Sequence, residues 1–271
     1  MDYRTSIAFI GGGNMAEALA MGIVRAGIVP AGSITISDPG PERCEHLGKT
    51  FGFNVVHENR QAVEAGGTIF LSVKPQVLPD VVKDVSDVLR AGQLVISVAA
   101  GVTLDFLENR LPGIPVIRSM PNTPALVGAG ATVIAPGKRV HPDMVQWSME
   151  LFHAAGTCHV LSEELMDAVT GLSGSGPAYI FRVAEALIEA GVAVEIPREQ
   201  ASDLVKQTIL GAARMMTETD DSPARLREKV TSPGGTTEAG LRSMDEAGFE
   251  KIVVEAVTAA TKKAKDLGKK C

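Results

Sequence analysis

The sequence predicts a parallel, doubly wound α/β domain followed by an all-helical domain, with the boundary near residue 162. Three observations carry this. Short apolar runs alternate with helical stretches through the first half of the chain, which is the pattern of strand and crossover helix in a parallel sheet. The first of those runs ends in three glycines, and beyond Ser162 no strand-like run remains.

The first element is Ile7 to Ile10, an apolar strand that stops at Gly11-Gly12-Gly13. Counted from Gly11 the spacing is G-x-G-x-x-A. Gly11 lets the backbone turn sharply, Gly13 leaves room for a pyrophosphate to approach, and Ala16 is small enough for the next helix to pack on the sheet. Three glycines after an apolar run also make an ordinary tight turn, so the context has to decide. Asn14 to Ala26 repeats small and apolar residues at helical spacing, with Gly27 as a stop. Ser33 to Ser37 is a second strand, and Asp38 ends it about twenty residues past the turn, where a dinucleotide fingerprint has its acid. This is the opening of a Rossmann-type dinucleotide-binding domain.

The chain then reads as a helix from Glu42 to Lys49, a strand from Phe53 to His57, and a helical fragment from Ala62 to Ala65. Thr68 to Val73 is apolar on both faces, as a central parallel strand should be. Val77 to Leu89 is amphipathic, Leu94 to Val98 is another buried strand, Leu104 to Leu111 is helical, and Val116 to Ser119 and Thr132 to Ala135 are the last strands. Ligands of such sheets lie beyond the strand ends. Besides the glycine turn, the segments that reach this edge are Ser72-Val73-Lys74-Pro75, Val98-Ala99-Ala100 and Met120-Pro121-Asn122-Thr123-Pro124. The last is rigid through its two prolines and offers polar side chains.

The helical half is expected as Glu163 to Ala190, Arg198 to Thr217, Ala224 to Val230, Thr237 to Ala247 and Phe249 to Leu267. Gly171-Leu172-Ser173-Gly174-Ser175-Gly176-Pro177 is costly in a helix, at roughly 1 kcal/mol per glycine relative to alanine. Small residues there admit a close ligand through the serine hydroxyls, or a kinked helix contact, including one across a dimer. Thr231-Ser232-Pro233-Gly234-Gly235-Thr236-Thr237-Glu238 reads as a capped turn whose open N–H groups suit a carboxylate.

Composition bounds the rest. The 271 residues allow two domains with their own cores. With 45% hydrophobic and 21% charged residues the chain is globular, and a net charge of −6 argues against a general polyanion binder. The lysines at 262, 263, 265, 269 and 270 complement a helix C-terminus. Cys44, Cys158 and Cys271 have no metal-ligand or disulfide pattern, so a reducing compartment and no metal are expected. Without a leader or a membrane-length apolar run, the sequence reads as a soluble, cytoplasmic protein that takes a small-molecule substrate and binds neither nucleic acid nor membrane.

Taken together, Phe9 to Met15, Val73-Lys74-Pro75, Ala99 to Val102, Met120 to Pro124, Leu172 to Tyr179 and Ser232 to Thr237 make the whole chain resemble the pyrroline-5-carboxylate reductases. The resemblance implies hydride transfer from NADP(H) or NAD(H) to C5 of a cyclic imine, giving proline. It implies cofactor contacts from Ile10, Gly11, Gly12, Gly13, Asn14 and Met15, from Ser37 and Asp38, and from Asn59. It adds Ser72, Val73, Lys74 and Pro75, and Val98, Ala99 and Ala100. The substrate contacts it implies are Ser175, Gly234, Gly235, Thr236 and Thr237, with Glu163 near the imine ring. Thr237 is the candidate for orienting or protonating the ring nitrogen. The helical half becomes a dimerisation and substrate domain, with decamers as a further assembly.

Asp38 departs from relatives that carry a serine or threonine there. A carboxylate suits a ribose 2′-hydroxyl and repels a 2′-phosphate, though Ser37 and Arg43 remain as phosphate partners, so dual cofactor use is expected. The five histidines lie outside these motifs and are read as structural or superficial. A β-hydroxyacid dehydrogenase is disfavoured, because no lysine occurs between Lys138 and Lys206 to serve as its base. A cofactor-binding sensor without catalysis is the reading from another class, and the intact glycine-rich segments of the helical half weigh against it.

Overall fold

In the computed structural model, which describes residues 2–268, β1 (Ile7–Ile10) lies inside an eight-stranded sheet. Ile7 and Phe9 pack on one side with Leu19, Ile23 and Phe152, while Ala8 and Ile10 pack on the other with Val63, Leu78 and Leu107. A strand apolar on both faces needs cover on both, which selects a sandwiched sheet. Phe9 stacks on Phe70 with 4.6 Å between ring centroids, and Phe70 meets Phe152 edge-on at 5.9 Å. One aromatic column therefore ties two strands to a covering helix.

From β1 the chain runs through α1 (Asn14–Arg25), β2 (Ile34–Ser37), α2 (Pro41–Phe51), β3 (Asn54–Val56), α3 (Asn59–Ala65) and β4 (Thr68–Leu71). It continues through α4 (Leu78–Val85), β5 (Leu94–Ser97), α5 (Leu104–Arg110) and β6 (Val116–Met120). These six strands are parallel, as expected, and lie in the order β3-β2-β1-β4-β5-β6.

The sheet departs from a fully parallel one at β7 (Gly130–Pro136), which is antiparallel to β6. The two are joined by only a 3₁₀ turn, Thr123–Val127, and a connection without a crossover returns the chain antiparallel. Then α6 (Pro142–His153) crosses over, and β8 (Gly156–Val160) pairs parallel with β7 at the edge. Neither α6 nor β8 is among the predicted elements. In β8 only Cys158 is buried, so the sequence holds no apolar run to read.

The helix expected from Glu163 to Ala190 is broken. A 3₁₀ turn at Glu163–Leu165 leads into α7 (Met166–Val169), a π-helical turn at Thr170–Gly174, and α8 (Gly176–Ala193). The Ser175 N–H reaches back to the Thr170 carbonyl at 2.9 Å. A Cβ on Gly174 would lie 2.6 Å from Met120 Cε, so the missing side chain brings this turn against the end of β6. The remaining helices are α9 (Arg198–Glu218), α10 (Pro223–Lys229), α11 (Thr236–Glu246) and α12 (Phe249–Gly268).

The chain divides into two compact units. The first runs to Ser175 and regains the chain from Thr258 onward, and the second is Gly176–Val257. Residues 163–175 stay with the sheet because buried Arg118 pairs with Glu163 and Asp167, and Asn122 holds the Ser173 carbonyl. The second unit has little core of its own. No residue of α8 or α11 is buried, and Phe181 and Ile252 are 63% and 58% exposed.

Cys44 and Cys158 are free and buried. Cys271, Lys269 and Lys270 lie outside the described residues. Among the described residues no helix is long and apolar enough to cross a membrane.

Candidate functional site

The glycine turn is fixed by the ends of three neighbouring strands. The Gly11 N–H donates to the Ser37 carbonyl at 2.9 Å, and the Ser72 hydroxyl donates to the carbonyls of Ile10 and Gly11 at 2.9 and 2.7 Å. Gly11 has a φ of +93°, and a Cβ there would stand 2.8 Å from the Ser72 carbonyl oxygen. Only glycine meets both conditions. Gly13 precedes α1 and provides no side-chain cap, and a Cβ on it would meet nothing within 4 Å. The first amides of α1 have no acceptor within the helix, so open space lies over a ready anion site.

That space is a cleft of about 360 Å³, lined by Gly13, Asn14 and Met15, residues 72–75, 98–100 and 120–123, and Gly174. Four segments far apart in sequence meet there, three of them expected cofactor contacts. Lys74 is exposed, so its cation is available near the amides. Unpaired helix-terminal amides, a cation and a glycine-lined approach fit a dinucleotide pyrophosphate.

Asp38 stands at the end of β2. One carboxylate oxygen accepts the Gly12 N–H at 2.9 Å and the other accepts the Gly40 N–H at 2.9 Å. A carboxylate has about four acceptor positions, so capacity remains for ribose hydroxyls. Ser37 does not share this role. It is wholly buried, its hydroxyl donates to Asn59 Oδ1 at 2.9 Å, and it has no surface for a phosphate. In this arrangement the Ser37 hydroxyl orients Asn59, the other expected cofactor contact on this side. Arg43 donates through Nε to the Gly12 carbonyl and lies with Nη2 2.6 Å from Glu17 Oε2.

Glu163 is not among the residues lining this cleft. Its Oε1 accepts the Leu104 N–H at 2.5 Å and faces Arg118 Nη1 at 3.3 Å, while Arg118 Nη2 bonds Asp167 at 3.0 Å. It borders a separate depression with Leu104, Glu108 and Lys138. In the second unit, the Gly234 N–H donates to Glu238 Oε2 at 2.8 Å and the Gly235 N–H to the Ser232 carbonyl at 2.9 Å. Two of the amides expected to receive a carboxylate are thus engaged within the loop. The first-turn amides of α11, at Thr236 and Thr237, keep no acceptor within the helix. Both side chains are exposed, as are all five histidines.

Comparison with known proteins agrees with this architecture. Residues 163–267 match the family model for pyrroline-5-carboxylate reductase dimerisation, and residues 6–101 match one for NADP oxidoreductase, coenzyme F420-dependent. A pyrroline-5-carboxylate reductase of Synechocystis sp. is 42% identical over 264 residues, covering 97% of this chain and 98% of its own. The chain belongs to the pyrroline-5-carboxylate reductase family.

A solved pyrroline-5-carboxylate reductase of Coxiella burnetii superposes with a TM-score of 0.92 at 36% identity, covering 97% of this chain and 98% of its own. That of Plasmodium falciparum, solved with NADP bound, gives 0.87 at 32% identity, covering 99% and 100%. Against the reductase family's motifs, the sequence reading left Arg118 and Asp167 without a role. An arginine inside the apolar strand Val116-Ile117-Arg118 was the available signal, because a buried cation requires a partner.

Proposed function

We propose that this protein is an NAD(P)H-dependent pyrroline-5-carboxylate reductase. It reduces the carbon–nitrogen double bond of 1-pyrroline-5-carboxylate at C5 to give L-proline, the last step of proline biosynthesis. The observation that carries this is the cleft, where the glycine turn, the ends of β4 and β5, the turn after β6 and Gly174 converge.

The nicotinamide cofactor, when bound, supplies the hydride. The protein's own part is modest, since an imine accepts hydride readily once its nitrogen is protonated. Backbone amides at Gly13, Asn14 and Met15 hold the pyrophosphate, with support from Lys74. Asp38 takes ribose hydroxyls, which favours dual use with NADH used better than in relatives lacking the acid. The α11 amides of Thr236 and Thr237 hold the substrate carboxylate, and the Thr237 hydroxyl orients or protonates the ring nitrogen. Within the first unit Ser175 follows the turn at Gly174, and within the second Gly234 and Gly235 shape the loop that leads into α11; all three are assigned to the substrate. Glu163 acts through its pairing with Arg118, which fixes the turn leading to Gly174 and Ser175.

The chain works as a homodimer through its helical half, residues 163–271, with residues 1–162 as the cofactor domain, onto whose compact unit residues 163–175 and the stretch from Thr258 also fold. Support comes from the exposed apolar faces of α8 and α12 and from the dimerisation model. A decamer built of five dimers is the larger assembly, and sedimentation would separate the two. A cytoplasmic location accords with free, buried Cys44 and Cys158.

The test is imine-dependent loss of reduced-nicotinamide absorbance with NADH and with NADPH. Rapid loss with pyrroline-5-carboxylate is expected. No loss in a folded protein that binds both cofactors would leave the sensor reading in its place. NADH turnover far below NADPH turnover at equal concentration would remove the ribose role of Asp38.

A further inference from the structure

Beside Asp38, three charged or titratable side chains meet that the hydride transfer does not use. Glu17 stands in the first turn of α1, Arg43 near the start of α2, and His46 one turn further on. Arg43 Nε donates to the Gly12 carbonyl, and Arg43 Nη2 and His46 Nε2 lie 2.6 and 3.6 Å from Glu17 Oε2. The Arg43 and Glu17 side chains are 27% and 23% exposed, so both lie at the partly open rim beside the glycine turn.

The Arg43–Glu17 contact is one of charge only. Nη2 is buried against Glu17 and makes no aligned hydrogen bond, so the carboxylate holds it by charge and proximity. A guanidinium next to the acid assigned to the ribose is what a 2′-phosphate would require, if it were free to turn toward it. Here the guanidinium is instead held by the Glu17 carboxylate and the Gly12 carbonyl.

We propose that Glu17 is a cofactor-specificity residue. By holding Arg43 against the Gly12 carbonyl and α1, it withholds the guanidinium from a 2′-phosphate and biases the site toward a cofactor with a free 2′-hydroxyl. The inference rests on the assignment of Asp38 to the ribose, but its route differs. Asp38 repels the phosphate directly, whereas Glu17 acts through Arg43 as a positioning residue.

Adenosine fragments without nicotinamide separate these ideas from turnover. Calorimetric titration would use 2′,5′-ADP and 5′-ADP on the full chain, with thermal melts to verify folding. Glu17→Gln keeps the shape and removes the charge, and Glu17→Ala carries the same expectation if glutamine packs badly. Affinity for 2′,5′-ADP should rise about fivefold or more, while that for 5′-ADP stays within about twofold. The gain should vanish in Glu17→Gln/Arg43→Met. An equal change for both ligands, a fall for 2′,5′-ADP, or a gain that survives loss of Arg43 would overturn the proposal. If the wild-type chain binds neither fragment, the cofactor reading falls with it; if 5′-ADP binds and Glu17→Gln changes nothing, only the Glu17 inference falls.

Discussion

Replacing Arg118 with Met tests how residues 163–175 are held to the sheet. Arg118 is 4% exposed, and its guanidinium faces Glu163 at 3.3 Å and Asp167 at 3.0 Å. Removing one partner of a fully buried pair typically costs about 3–5 kcal/mol, because the other charge is left without compensation. Here the two carboxylate side chains are 27% and 24% exposed, so water takes up part of that charge. We expect a loss of about 2–3 kcal/mol, between the buried and surface limits. Urea unfolding followed by circular dichroism would measure it. The triple variant Arg118→Met/Glu163→Gln/Asp167→Asn should recover at least half, since no isolated charge remains and the glutamine oxygen can still accept from the Leu104 N–H. A loss below about 1 kcal/mol, or a triple variant no better than the single one, would refute the ion cluster as the anchor.

Other outcomes follow from the same geometry. Thr237→Ala should lower kcat about tenfold or more, reaching about a hundredfold if the hydroxyl is the general acid, and unchanged steady-state kinetics would remove Thr237 from the mechanism. Gly11→Ala forces a side chain to a φ of +93° and to within 2.8 Å of the Ser72 carbonyl, so cofactor binding by fluorescence titration should weaken severely. Phe181→Glu places a charge on an exposed apolar face of α8, and sedimentation should then report a monomer. Burial pushes the Cys158 thiol up to about 12. A raised acid favours folding below the free thiol value near 8.5 and loses that contribution as pH climbs toward the folded one. Stability should therefore fall from pH 8 to 11, and less steeply in Cys158→Ala.

The first six strands and the glycine turn were legible because a central parallel strand must be apolar on both faces, and Ile7 to Ile10, Thr68 to Leu71 and Leu94 to Ser97 have no other use for such a composition. The edge strand β8 was not, since its partner β7 supplies hydrogen bonds that no pattern of side chains announces. The helix α6 was readable in principle from Met144, Trp147, Leu151 and Phe152 at helical spacing. In the candidate site, the strand-end segments could be placed from sequence because topology alone brings them to one edge. The burial of Ser37 and the engagement of the Gly234 and Gly235 amides could not, because hydrogen-bond partners are chosen by distances that only the fold defines.

The return of the chain to the first unit has a bearing on synthesis. The stretch from Thr258 onward belongs with residues before Ser175, and Gly101 and Gly268 approach until a Cβ on Gly268 would stand 2.8 Å from the Gly101 carbonyl oxygen. The cofactor unit is therefore discontinuous, with the helical unit spliced into it. When the ribosome has delivered the last strand of the sheet, that unit still lacks a covering segment, and it acquires it only after the whole of Gly176–Val257 has emerged. A nascent chain that stops short of α12 therefore lacks the residues that close over Gly101.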